Sequence, residues 1–257
     1  MAWHRNIVIK TPEEIALMRV AGRINAEALQ TVQRMVRPGV TTAELDAAAE
    51  EVIRKRGAVP AFLGYPGPYP YPATLTVSIN DELVHGIPGE RVIQPGDVVS
   101  IDCGNIYKGF VADSAFSMVV EPASEEALRL LEVTEQSLYA GIAKMHAGNR
   151  VGDVSSAIQR YVESRGFHVT REYTGHGVGR EMHEGPMVPN YGRAGRGLRL
   201  RAGMTIALEP MVLVGTPRTR VLPDQWTVAS ADGSLTAHFE HTVLVTEGEP
   251  EILTAWT

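Results

Sequence analysis

The chain has 257 residues, 44% of them hydrophobic and 21% charged, the balance of a soluble globular protein long enough to bury a substantial core. Its 24 basic against 30 acidic side chains leave a formal charge of −6, which argues against DNA as a partner; the single cysteine, Cys103, excludes an intrachain disulfide and fits a reducing compartment. The opening MAWHRNIVIKTPEE lacks the apolar run of a secretion signal, and no stretch approaches the roughly 20 apolar residues of a membrane span, so a cytoplasmic protein without membrane contact is expected.

Thr11-Pro12-Glu13-Glu14 has the composition of a helix start, with a capping threonine, a first-turn proline and a glutamate placed to close a capping box. Ile15, Met18, Ala21, Ile24, Ala28, Leu29 and Val32 then recur at helical spacing, and Gly39 ends the unit. A second helix is predicted from about Thr42 to Arg56, stopped by Gly57. YPGPYPYP, residues 65–72, reads as a rigid loop within a domain. Val84-His85-Gly86 follows, and then the turn Pro95-Gly96 leads through DVVSI to Asp102. FVADSAFSMVV is a β-rich run carrying Asp113.

The same grammar then starts again. Helices are predicted from about Ser124 to Met145 and from about Asp153 to Arg165, and Gly148 and Gly166 lie 18 residues apart, as do Gly39 and Gly57. Gly175-His176-Gly177 answers the earlier His85 triplet, and Ala202-Gly203 leads through MTIAL to Glu209. HFEHTVLVT, with Glu240, answers the run around Asp113, and Asp232-Gly233 between WTVAS and SLTAHFE reads as a hairpin turn. The expected product is one α/β (α+β) domain over residues 1–257, with a diverged repeat at about 12–120 and 123–247.

Each half thus offers two carboxylates from β-rich segments: Asp102 and Asp113, then Glu209 and Glu240. Taken singly, an aspartate in a strand is usually an edge residue, a histidine usually a hydrogen-bonded structural group, and an HGVG run usually a turn. Together they read differently, because acids within apolar strands are costly to bury unpaired. Four acids at equivalent points of a repeat converge, and converging carboxylates repel unless cations hold them. Two divalent metals satisfy that requirement, and one added imidazole gives an oxygen and nitrogen ligand set suited to Mn, Fe, Co or Zn. The arginines at 193, 196, 199, 201, 218 and 220 read as solvated loop charge.

The ordered motifs NDELVHG, SIDCGNIYKGFVADS, TGHGVGREMHEGP, TIALEP and FEHT resemble those of the methionine aminopeptidases, in their minimal bacterial type 1 form. That resemblance spans nearly the whole chain. It implies the pita-bread fold, two pseudo-symmetric helix–helix–strand halves around a central antiparallel sheet. It also implies removal of the initiator methionine from nascent chains with a small second residue, by a water activated on two divalent metals. By the same resemblance, Asp102 ligates one metal, Asp113 and Glu240 bridge both, and His176 and Glu209 ligate the other. His183 would stabilise the oxyanion, His85 would serve the leaving nitrogen, and Glu209 would shuttle the proton. Tyr65, Tyr71, Trp226, Phe62 and Thr76 match positions around the methionine pocket. Thr76 replaces a common cysteine, and Met182 a common aromatic. A monomer is expected, with transient ribosome contact through the arginine loops. Two alternatives share the fold: a prolidase-like enzyme, in which an extra N-terminal domain would be expected, and a non-catalytic relative, in which ligands would be lost.

Overall fold

The computed structural model describes residues 7–256. The first half of the chain runs α1 (Pro12–Met35), α2 (Thr42–Lys55), β1 (Val59–Pro60), β2 (Leu75–Ile79), β3 (Glu82–Val84), β4 (Val98–Tyr107) and β5 (Phe110–Val119). The second half again opens with two helices, α3 (Glu125–Ile142) and α4 (Val151–Glu163). Ten strands follow: β6 (His168–Val169), β7 (Thr174–Gly177), β8 (Glu184–Pro189), β9 (Thr205–Leu208), β10 (Met211–Leu213), β11 (Thr219–Val221), β12 (Val228–Ser230), β13 (Thr236–His238), β14 (His241–Leu244) and β15 (Glu251–Ile252).

The helices begin where the chain satisfies its own first-turn N–H groups. The Glu14 N–H donates to Thr11 Oγ1 at 3.3 Å, and the Thr11 N–H donates back to the Glu14 carboxylate at 2.9 Å. Thr41 and Glu44 build the same box ahead of α2, and Ser124 caps α3 through the Ala127 N–H. The fourth helix starts two residues before the expected Asp153, because Asp153 is not its cap. It lies inside the first turn and accepts from the Arg150 N–H at 2.8 Å.

Each helix pair covers strands of its own half. Ile24, Leu29, Val32, Leu45 and Ile53 pack with Leu75, Ile79, Val99, Ile101 and Cys103. Leu130, Leu138, Val154 and Ile158 pack with Ile206, Leu208, Val212 and Val243. Burying such side chains stabilises by about 1.5–3 kcal/mol each, so both sets of strands are held against a firm backing. Phe239 packs against both clusters.

The strand pairings are antiparallel and fall into four hydrogen-bonded groups. In one group β5, β2 and β1 all pair with β4; in another the order is β15-β14-β9-β7-β8. These two meet at a bridge between Ala115 and Glu240, with N–H···O distances of 3.2 and 2.9 Å. Beside it, Thr242 Oγ1 accepts from the Asp113 N–H at 3.0 Å and donates to the Asp113 carbonyl at 2.8 Å. The acid-bearing strands of the two halves are therefore joined backbone to backbone.

The Asp232-Gly233 hairpin is a correction. The turn forms, with the Ser234 N–H donating to Asp232 Oδ1 at 3.1 Å. The flanking strands separate, however: β12 pairs with β11 and β3, whereas β13 pairs with β10. Their partners explain why, since the Ser230 N–H is taken by the Asp81 carbonyl and the Thr236 N–H by the Asn80 carbonyl. The turn passes the chain from one sheet to another.

Candidate metal centre

Strand register alone brings the acids together. Asp102 on β4 faces Ala115 on β5, and Asp113 faces Gly104. In an antiparallel pair, directly opposed residues share a face, and so do residues two apart along a strand. Asp102 and Asp113 are therefore diagonal neighbours on one face. The row continues on both sides, because Thr76 opposes Asp102 on β2 and Glu240 bridges Ala115. In the second half His176, Ala207 and Thr242 form the equivalent row across β7, β9 and β14. Glu209 lies two residues beyond Ala207, and Glu240 two before Thr242.

The resulting geometry suits a cation. Ligand atoms of Asp113, His176 and Glu240 lie within 4.8 Å of one another. His176 Nε2 is 3.4 Å from Glu209 Oε1 and 3.9 Å from Asp113 Oδ2. Two ligands each about 2.1 Å from one ion stand about 3–3.5 Å apart, so these separations need little adjustment. The His176 Nδ1 lies 3.0 Å from the Gly177 carbonyl; a proton donated there leaves Nε2 as the lone-pair nitrogen. Asp102 Oδ1, Asp113 Oδ1 and Glu240 Oε1 are buried without a hydrogen-bond partner. A buried carboxylate oxygen left so is expensive, and a divalent ion is the group that this donor set lacks.

The electrostatics agree. Burial pushes the Asp102 carboxyl up to about 7, against a hydrogen bond from Asp113 that pulls it down. Burial, then the charges of Asp102 and Glu209, push Asp113 well above the ordinary carboxylate range. Glu209 is raised by burial and by Asp102, and Glu240 by burial and by Asp113. Burial and mutual repulsion thus oppose ionisation of all four acids, an opposition that a cation would relieve. The neighbouring imidazoles are driven the other way by burial, His176 and His85 to about 4 and His183 to about 2. All three are neutral at pH 7.

The acids form the floor of a cavity of about 380 Å³, and all twelve residues singled out from the sequence line it. Those not yet placed are histidines and the pocket wall. His183 Nδ1 lies 2.5 Å from Tyr65 Oη, and its ring is 4.3 Å from that of His176. His85 has φ +62, a left-handed backbone that costs a non-glycine residue strain. Its ring stands edge-on to Tyr173 and Trp226, at 6.0 and 6.4 Å. Trp226 is also edge-on to Tyr71 at 5.1 Å. Gly67, in the proline and tyrosine loop, admits it: a Cβ there would lie 2.3 Å from the indole. Phe62 and Met182 pack together in one apolar cluster with Tyr65. The arginines at 193, 196 and 199 are exposed and lie outside the cavity wall.

Several wall residues carry no local sequence signal, among them Tyr173, Met187 and Met211. A more telling omission is His238. It is 2% exposed, burial lowers it to about 3, and its Nε2 lies 3.6 Å from Glu240 Oε2 and 3.8 Å from Glu209 Oε2. Its signal in TAHFEHT is the strand period, which puts residues 238 and 240 on one side.

Comparison with known proteins gives concordant results. The model of metallopeptidase family M24 matches residues 16–247. A methionine aminopeptidase of Clostridium perfringens is 50% identical over 248 residues, covering 96% of this chain and 98% of that protein. The crystal structure of methionine aminopeptidase from Thermotoga maritima superposes with a TM-score of 0.94 at 46% identity, over 97% of this chain and 99% of that one. Prolidase from Pyrococcus furiosus gives a TM-score of 0.78 at 24% identity, with 66% of its length covered, a likeness of fold alone.

Proposed function

From its membership of the M24 metallopeptidases, among the methionine aminopeptidases with their pita-bread fold, we propose that this chain is a metalloexopeptidase that hydrolyses the first peptide bond of chains beginning with methionine. We propose further that it works as one catalytic domain, on chains with a small second residue. The observation that carries this reading is the convergence of Asp102 and Asp113 from one half with His176, Glu209 and Glu240 from the other. They share the floor of a cavity walled by Tyr65, Tyr71 and Trp226. A prolidase-like specificity has less support, since the prolidase likeness is one of fold alone.

Those five residues would hold two divalent ions, with Mn, Fe, Co or Zn all compatible with the donor types. When bound, such ions supply Lewis acidity and a water acidified to near neutral pH. The protein supplies the rest. With Tyr65 Oη donating to His183 Nδ1, the His183 ring proton sits on Nε2, where it would donate to the developing oxyanion. Glu209 is the proton shuttle, the role that the resemblance to the methionine aminopeptidases implies for the glutamate at this position. His85, fixed by its backbone and two rings, serves the leaving nitrogen. The aromatic wall takes the thioether side chain.

The test is metal-loaded hydrolysis of Met-Ala-Ser by Glu209→Gln and His85→Ala, each expected to lose about 10²–10⁴-fold in kcat. Near-normal turnover in both would sink these assignments, and faster cleavage of an Xaa-Pro peptide by the unmodified enzyme would favour the prolidase reading. Among the described residues no helix is long and apolar enough to cross a membrane. A cytoplasmic monomer that meets nascent chains at the ribosome is part of the same proposal. Charge reversal of Arg193, Arg196 and Arg199 should then weaken ribosome co-sedimentation, and an unchanged profile removes that part.

A further inference from the structure

One buried nitrogen at the acid cluster has no hydrogen-bond partner and no task in the scheme above: His238 Nε2. The residue around it is firmly held. The His238 N–H donates to Ser117 Oγ at 2.9 Å, and Ser117 Oγ lies 2.8 Å from the His238 carbonyl. On the other side His238 pairs with Met211 across β10 and β13. A residue whose backbone is fixed this way, with a polar ring atom buried and unanswered, marks a position where a partner is expected.

Both candidate partners are carboxylates of the metal set, and both offer the same edge. Nε2 faces Glu240 Oε2 at 3.6 Å and Glu209 Oε2 at 3.8 Å, slightly beyond the roughly 3.2 Å of an N–H···O bond. The opposite edges point elsewhere. Glu209 Oε1 faces His176 Nε2 at 3.4 Å, and Glu240 Oε1 is buried without a partner. Glu209 is thus spanned by two imidazoles, one at each oxygen. The terminal torsion of a glutamate is soft, so nothing intrinsic decides which oxygen turns toward a metal.

We infer that His238 is a positioning residue, an N–H donor that holds the Oε2 edges of Glu209 and Glu240 and so fixes the orientation of both carboxylates at the metal cluster. Outer-sphere donors of this kind set ligand orientation, and losing one costs about 10–100-fold in metal affinity. The inference rests on the metal-centre reading above.

Calorimetric titration of the chelator-stripped full chain with Mn²⁺ tests it, comparing the unmodified protein with His238→Leu, His238→Gln and His238→Asn. Glutamine places an amide N–H at the reach of Nε2. Asparagine is one methylene too short, and leucine has no donor. Leucine and asparagine are expected to weaken the tightest Mn²⁺ binding about 10–100-fold, with glutamine within about threefold of the unmodified protein. A purely structural role would lower the melting temperature of the metal-free variants without this pattern of rescue. Leucine and asparagine variants binding as the unmodified protein does would overturn the inference. So would a glutamine variant as weak as leucine, which would make the imidazole itself a ligand. Should the leucine variant fail to fold, the contrast between asparagine and glutamine decides alone. Absence of Mn²⁺ binding by the unmodified protein would instead refute the metal-centre reading, a separate outcome.

Discussion

Asp102 has a folded-state pKa of about 7, raised by burial, against an ordinary unfolded value of about 3.9. A carboxyl raised in the folded state binds a proton that the unfolded chain has released. Its contribution to stability is complete below about pH 4 and is lost as the pH rises through about 7. Removing the ionisation should therefore help the metal-free protein most at high pH. Asp102→Asn is expected to raise the melting temperature of the chelator-stripped protein at pH 8 relative to the unmodified chain. The rise should be about 2–4 °C for each kcal/mol relieved, smaller at pH 5, where only about one pH unit separates the protein from the unfolded pKa, than at pH 8. A thermal melt at the two pH values checks this, and an equal effect at both would show that ionisation is not what Asp102 contributes. If Asp102 holds a metal as proposed, the sign reverses with metal present, since the variant lacks a carboxylate oxygen to bind it. Asp102 was legible in the sequence because an acid ending VVSI has no inexpensive local explanation. His238 was not, because TAHFEHT offers two histidines beside one acid, and the change of strand between residues 238 and 241 decides which of them faces the acids.

Among the elements, helices were the most legible, since each capping residue and each apolar stripe is written within a few residues. Strand partners were less so, as the Asp232-Gly233 turn illustrates: its strands obey local turn chemistry but pair with segments about 150 residues away or on other edges. The same holds for the segment that presents His183. Lys10, just ahead of α1, reaches 174 residues along the chain to Glu184 at 2.5 Å, with side chains 1% and 5% exposed. The other Glu184 oxygen accepts from the Arg180 N–H at 2.7 Å and the Glu181 N–H at 3.3 Å. One buried carboxylate thus ties the N-terminal segment to the turn before His183. Removing one partner of a buried pair leaves an uncompensated charge and costs about 3–5 kcal/mol. Lys10→Ala should lose that much in urea unfolding. Lys10→Met combined with Glu184→Gln keeps an acceptor for the two N–H groups without a charge, and should recover most of it. If Lys10→Ala unfolds at the same urea concentration as the unmodified protein, the pair is not holding this turn.

At the scale of the molecule, the two-fold grammar of the sequence and the site are one fact. Neither half owns the whole cluster, because Asp102 and Asp113 come from the first and His176, Glu209 and Glu240 from the second. The repeat made that division legible. The seam itself was not, since Thr242 and Ala115 are ordinary strand residues whose importance lies in what they face. Along that seam, hydrogen bonds from Thr242 to Asp113 and between Ala115 and Glu240 press the acids toward each other, while burial and mutual repulsion raise their pKa values. Metal in the cluster would relieve that opposition and stabilise the contact between halves, so its effect should be global. At a free concentration 100 times its Kd, a ligand of the folded state adds about 2.7 kcal/mol, or about 5–10 °C for a chain of this size. Chelation should lower the melting temperature by that amount in a single transition and be reversed by adding Mn²⁺. Hydrogen exchange should rise at the Asp113 and Glu240 amides together. An unchanged melting temperature would argue that the seam does not depend on the metal. Two separated transitions would argue that the halves fold independently and that the shared ligand set does not couple them.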